Sequence, residues 1–491
     1  MTWLQAPDYW LTRLILERAL AAVYLVAFTV TLTQFRPLLG ENGLLPVPRF
    51  IAQVPFRARP TLFSLRYSDR LLLLVAGAGI VISAAILVGA LDLAPLWAGI
   101  PAWFVLWALY LSIVNVGQTF YAFGWETLLL EAGFLAIFLG AGPTAAPLPS
   151  IYLFRWLLFR VEFGAGLIKM RGDPCWRNLT CLSYHHETQP MPNPLSWFFH
   201  HLPRRLHRVE VLGNHFAQLI VPWALFAPQP VSGIAGLIVL VTQGWLVLSG
   251  NFSWLNFVTM ALAISAFDDQ QLRLVLPVQV PKLAPLPLWW QVLVLALTVL
   301  VIVLSYRPVR NLLSGHQLMN ASFDGLHLVN TYGAFGSITK VRYEIVIEGT
   351  EEDPASHRAR WKEYEFKGKP GNPRRRPRQF APYHLRLDWL MWFAAMASAR
   401  QHPWFVRLLG KLLAGDGPTL KLLARNPFPD RPPRAVRALL YRYRFTTWRE
   451  WRETRAWWVR DLVGDYVPPT TLTREAGRRQ AWVAEEGQAG S

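Results

Sequence analysis

The sequence predicts a polytopic α-helical membrane bundle of about eight or nine transmembrane helices, followed by a mixed α+β domain outside the bilayer. Three observations carry that reading. The 491 residues are 53% hydrophobic and only 16% charged, with a mean hydropathy of +0.24, where soluble proteins average about 25% charged residues. Long stretches of the first three-fifths contain no charge at all. From Arg307 onward the apolar runs shorten, and 31 basic residues face 18 acidic ones. A composition with 23 tryptophans and two cysteines excludes a soluble globular enzyme, a disordered chain, collagen and a disulfide scaffold.

The membrane part occupies residues 1–310. A bilayer core needs about 20 apolar residues per helix and penalises each ion at its centre, so the gaps between charges mark the spans. No Asp, Glu, Lys or Arg lies between Arg18 and Arg36, Arg70 and Asp92, Asp92 and Glu126, or Glu131 and Arg155. The longest gap, Val211 to Phe267, is 57 residues and is interrupted by Pro222, Pro228, Pro230 and a turn at Asn251 to Ser253, which leaves room for three passes. Leu283 to Tyr306 closes the bundle, with tryptophans at one end and Tyr306 and Arg307 at the other as interfacial anchors. The first run carries Glu17 and Arg18 and is expected not to be a signal peptide.

Residues 311–470 read as a second, hydrated α+β domain. Val341, Tyr343, Ile345 and Ile347 alternate with Arg342, Glu344 and Glu348, the pattern of a half-buried strand. Trp361 to Lys367 repeats it after a charged turn, predicting a hairpin. Leu387 to Ala399, Pro403 to Leu413 and Pro418 to Arg425 have helical spacing, and Leu439 to Phe445 returns to alternation. Residues 471–491 form a polar tail. The positive-inside bias assigns this basic domain and the Arg36 to Arg66 loop to the cytoplasm, although long domains escape that rule. Three N-x-Ser/Thr tripeptides, at Asn178, Asn251 and Asn320, point the other way for two loops. Orientation stays open at this level.

One helix, Ile151 to Met170, carries Arg155, Arg160, Glu162 and Lys169. Arg155, Glu162 and Lys169 are seven residues apart, and seven steps of about 100° return to nearly the same face. Such a stripe faces a bundle interior or wet cavity, either as a functional site or as a ladder pinning the helix to its neighbours, with Glu126 and Glu131 as expected partners. The polar loop at 171–210 follows, dense in aromatic, proline and polar residues. Trp176, His185, His186 and Glu187 form its loop cluster. Adjacent histidines point in different directions and no i,i+4 pair accompanies them, so no metal is predicted. Cys175 and Cys181 are compatible with a local disulfide or with a reduced pair. No nucleophile elbow, phosphate loop or dinucleotide fingerprint occurs, and no cofactor is predicted. The Arg374 to Arg378 run has no stacking motif beside it. It reads as a solvated or membrane-surface loop rather than a nucleic-acid site.

Four segments carry a resemblance. YGAFGSITKVRYEIVIEGT (332–350), WKEYEFKGKPGNPRRRPRQFAPYHLRLDWLMWFAA (361–395), NPFPDRPPRAVRALLYRYRFT (426–446) and GLIKMRGDPCWRNLTCLSYHHETQPMPNPLSW (166–197) closely resemble the lipase maturation factor family. The resemblance implies a multipass endoplasmic reticulum membrane protein whose C-terminal domain assists folding and assembly of secreted lipases. Two cysteines and an Arg-, Pro- and Trp-rich composition depart from the animal members and suggest a bacterial relative, for which the cytoplasmic membrane would be the location. A shorter run, Gly164-x-Gly166-Leu-Ile-Lys169 followed by Trp176, looks like the membrane domain shared with vitamin K-dependent carboxylases, an HTTM-type domain, where the matching lysine serves as a base.

The expected function is therefore a membrane-anchored folding or maturation factor whose partners are client polypeptides and the lipid bilayer. Asn330, Tyr332, Gly333, Phe335, Arg342 and Glu344 are expected to contact clients, to organise the binding surface or to maintain the fold. Gly333 and Gly336, flanking aromatics, read as a tight turn. The enzyme alternative uses Lys169 as base with Glu162 and Arg155 beside it. A transporter would use the same ions as a path, but no internal repeat supports it.

Overall fold

The computed structural model describes residues 4–472; the expected polar tail lies outside them from residue 473 onward. Among the described residues, five helices are long and apolar enough to cross a membrane: Pro7–Leu39, Asp69–Leu87, Leu96–Val116, Val231–Ser249 and Leu288–Leu313. That is fewer than the eight or nine expected. The charge gaps overcount because an uncharged interval is not always one straight helix. Within the 57-residue interval, a π-helical turn at Phe216–Ile220 and the prolines that follow leave only one span of full length. The gap before Arg155 is shared between a 13-residue helix and the start of a 24-residue one that carries five charges.

The bundle elements are α1 (Trp10–Leu39), α2 (Asp69–Leu87), α3 (Gly99–Val116), α4 (Gly124–Ala136), α5 (Leu148–Arg171), α6 (Leu182–Thr188), α7 (Arg204–His215), α8 (Val231–Ser249), α9 (Leu255–Ala263) and α10 (Leu288–Leu304). Ser68 caps α2 by accepting from the Leu71 amide, and Asp69 follows in the first turn, as the helix dipole favours. α1 and α3 are central, and Tyr24, Phe28 and Tyr110 pack edge to face between them. α2, α8 and α10 turn residues such as Leu74, Val81, Val241, Leu248, Val299 and Ile302 outward, the faces that lipid would cover. Lipid is as apolar as leucine, so these helices are held by close packing and buried polar bonds rather than by the hydrophobic effect.

The C-terminal region contains a four-stranded antiparallel sheet of β1 (Arg342–Thr350), β2 (Lys362–Glu363), β3 (Ala435–Phe445) and β4 (Trp458–Thr471), in the order β2-β1-β3-β4. Arg342 lies opposite Tyr443 and Thr350 opposite Ala435. The hairpin expected at 361–367 is present but short, with Glu348 opposite Glu363. Helices α11 (Arg386–Ala394) and α12 (Pro403–Leu413) accompany the sheet. β1 is not half-buried: every residue but Tyr343 is buried. Its polar side chains alternate as the sequence shows, yet they face an ion-pair network instead of water. One hydrophobic core runs from α1 through α5 into α11, α12 and the sheet without a break at residue 310.

Candidate functional site

The stripe on α5 divides into separate arrangements. Arg155 donates to the Ser265 carbonyl at 2.8 Å, the Leu225 carbonyl at 3.1 Å and the Tyr9 hydroxyl at 3.1 Å, fastening the ends of neighbouring helices. Lys169, two turns beyond Glu162, donates to Asn214 Oδ1 and Gln218 Oε1, both at 2.8 Å, and lies 4.8 Å over the Trp176 ring. Glu162 accepts from Gln243 at 2.6 Å, and Gln243 accepts from Asn256 at 2.7 Å. Seven residues keep a common face but advance about 10 Å along the axis, so each ion meets a different neighbour. Gln218 lies in the π-helical turn, a feature frequent at functional sites.

Glu126 and Glu131 do not serve this stripe. Glu131 pairs with Arg160 and also accepts from the Asn330 amide and side chain, both at 3.0 Å, and from the Tyr332 hydroxyl at 2.7 Å. All four side chains are buried. The segment 330–336 thus lies along α4 and α5, and two glycines make this possible. A Cβ at Gly164 would strike the Tyr332 carbonyl, and one at Gly172 the Gly336 carbonyl. The glycine of the G-x-G-L-I-K motif therefore has a packing reason here. Phe335 is in the left-handed region at φ 56°. Its carbonyl accepts from the Trp176 indole at 2.7 Å, and its ring meets His185 and Phe252 edge-on. Gly333 sits against Met319, where a Cβ would come within 2.9 Å.

Arg342 and Glu344 form a fully buried ion pair at 2.5 Å, joined by Lys369 at 2.9 Å. The rest of the Arg342 guanidinium donates to the carbonyls of Glu187 (3.0 Å), Gln189 (2.5 Å) and Pro190 (3.0 Å). The Glu187 carboxylate in turn accepts from the Phe445 amide at 2.7 Å. Burial raises the Glu187 carboxyl above its ordinary range, and that amide opposes the shift. Burial lowers His185 to about 3, so its ring is neutral. The 171–210 loop and the first strand of the sheet are thus one construction. Asn330, Tyr332, Arg342 and Glu344 are buried, and their hydrogen bonds and ion pairs join the loop, helices and sheet.

Two groupings were not anticipated. Arg386 reaches Glu126 at 2.7 Å, beside His384. His186, which the sequence grouped with His185 and Glu187, instead faces His207 and Glu210 of α7. The His207-x-x-Glu210 spacing was the legible signal, since residues three apart share a helix face. Cys175 and Cys181 are disulfide-bonded. On the outer surface, β4 is an edge strand with no partner beyond it among the described residues, and it exposes Leu462 and Val463. Trp448 and Phe198 make an exposed aromatic pair near Arg376.

A family model described as the lipase maturation factor transmembrane domain matches residues 11–274, and one described as the lipase maturation factor C-terminal domain matches residues 328–468. The chain belongs to the lipase maturation factor family. It is 44% identical to human Lipase maturation factor 1, over 96% of this chain and 89% of the relative. The mouse Lipase maturation factor 1 is 43% identical over 98% and 91%, and the human Lipase maturation factor 2 is 30% identical over 94% and 83%. No solved structure matches the chain. The C-terminal match begins at the segment that closes onto Glu131, and both matches include residues that join the two parts.

Proposed function

We propose that this chain is a membrane-anchored maturation factor that assists the assembly of secreted or membrane client proteins, lipases among them. The observation that carries this is the similarity over nearly the whole chain to relatives named for lipase maturation. In this reading residues 1–310 anchor a platform at 311–470. The Cys175–Cys181 disulfide supports placing the loop, and the platform packed on it, on the oxidising side of the membrane; in an animal cell that is the endoplasmic reticulum lumen. Clients dock on the exposed edge of β4, where backbone groups without a partner among the described residues and the Leu462 and Val463 side chains suit an extended segment of a folding chain.

The test is co-expression with a secreted lipase in cells lacking their own maturation factor. The full chain raises secreted lipase activity, and a Leu462→Lys, Val463→Lys variant reduces it while the protein accumulates normally. No rescue by the full chain would remove the maturation reading. Full rescue by the double variant would remove β4 as the docking edge.

A further inference from the structure

Three buried polar atoms with no hydrogen-bond partner among the described residues converge on one point beside the 171–210 loop: His186 Nε2, His207 Nδ1 and Glu210 Oε2. Glu210 Oε2 lies 3.7 Å from the first and 3.6 Å from the second, and all three lie within 4.8 Å of one another. The two histidine side chains are 2% and 3% exposed. Buried polar atoms are nearly always hydrogen-bonded, so three orphans facing one another call for a missing partner. Two imidazole nitrogens and one carboxylate oxygen facing one point are a donor set that suits a cation.

We infer that His186, His207 and Glu210 bind a divalent transition-metal ion, with zinc as the chemically favoured occupant. Two imidazoles and one carboxylate form a donor set for zinc, whose ligands stand about 2.0–2.2 Å from the metal. Around a tetrahedral ion such atoms are about 3.3 Å apart, so the Glu210 separations need only small adjustments and the two ring nitrogens, within 4.8 Å of each other, approach further as their side chains turn. The surroundings complete the site as outer partners usually do. The Trp245 indole donates to Glu210 Oε1 at 2.6 Å, fixing the carboxylate so that its other oxygen faces the rings. The His200 carbonyl lies 3.4 Å from His207 Nε2, which selects the tautomer that leaves Nδ1 free as a ligand. His185 and Glu187 take no part: His185 packs between Phe252 and Phe335, and Glu187 holds the Phe445 amide. The ion ties α6 to α7 and so braces the loop on which Arg342 closes.

The full-length protein, purified in detergent through a tag without histidines and stripped with a chelator, is titrated with Co²⁺ and then Zn²⁺. The expected result is one Co²⁺ per chain with the visible absorption of a four- or five-coordinate nitrogen/oxygen site, bleached by stoichiometric Zn²⁺. His186→Ala and His207→Ala lose that absorption, whereas His316→Ala, at an exposed position, retains it. Trp245→Phe, on the exposed side of Glu210, keeps the stoichiometry but weakens affinity about 10-fold or more. Absence of the spectrum in the wild-type protein at saturating Co²⁺ would overturn the inference, and needs no variant to fold. Equal binding by His186→Ala and His207→Ala would overturn it as adventitious binding.

Discussion

Arg386, at the start of α11, donates to the carboxylate of Glu126, at the start of α4, across 260 residues of chain at 2.7 Å. Both side chains are fully buried. The same guanidinium caps the Phe120 carbonyl at 2.7 Å and covers the Tyr121 ring, and the Arg386 amide donates to Gln34 of α1 at 3.0 Å. One residue of the platform thus fastens three segments of the bundle. Removing one partner of a buried ion pair strands the other charge, at a cost of about 3–5 kcal/mol.

Glu126→Gln and Arg386→Met, made singly, should therefore each lower the melting temperature of the detergent-solubilised protein sharply. The pair made together should lose less than the sum of the two. Additive losses in this double-mutant cycle would show that the two side chains do not interact.

Tyr332→Phe removes the hydroxyl that donates to Glu131 and leaves the aromatic packing in place. A hydrogen bond to a charged group contributes about 1.5–3 kcal/mol, and the loss should appear as reduced stability with unaltered client selectivity. A change of client preference at unchanged stability would mean that Tyr332 contacts the client after all.

Lys169 donates to two amide oxygens and lies over an indole face, contacts that a structural cation would make. Lys169→Met should leave Asn214 and Gln218 unpaired and cost about 1–3 kcal/mol. Lipase output should fall only in proportion to the amount of protein. Abolished output from a fully accumulated Lys169→Met protein would instead restore the reading of Lys169 as a base.

Sealed vesicles should protect the platform from added protease, and a thiol reagent should label Cys175 and Cys181 only after reduction. Removing the six-residue-spaced disulfide by Cys175→Ser should loosen the loop and weaken its docking on Arg342, seen as faster proteolysis at 171–210. Cleavage of the platform in intact vesicles from the cytoplasmic side would contradict its placement on the oxidising side.

Much of this architecture is legible from the chain alone, for a definite reason. Charge spacing and apolar runs are local properties, and they mark the lipid-facing intervals of α2, α8 and α10 wherever the helix also runs straight. Alternation at 341–348 marks a strand whatever covers it, and the ordered motifs at 166–197, 332–350, 361–395 and 426–446 reveal the family. What periodicity does not carry is the identity of a partner. Glu126 and Glu131 look like the natural partners of the ions on the 151–170 helix, and Glu131 does meet Arg160 of that helix, but closure of the chain brings Arg386 to Glu126. The half-buried reading of β1 fails for the same reason: alternation reports that two faces differ, not that one meets water.

The sequence by itself determined that a charge-poor bundle precedes a basic α+β platform and that the chain is a lipase maturation factor relative, because composition, period and motif reside in neighbouring residues. Only the tertiary structure decided the number of full-length spans, the clamp of Arg342 on the 187–190 carbonyls, and the meeting of His186 with His207 and Glu210. Those depend on which distant segments share the interior. There each buried ion or imidazole is matched to whatever polar group the packing brings within about 3–4 Å.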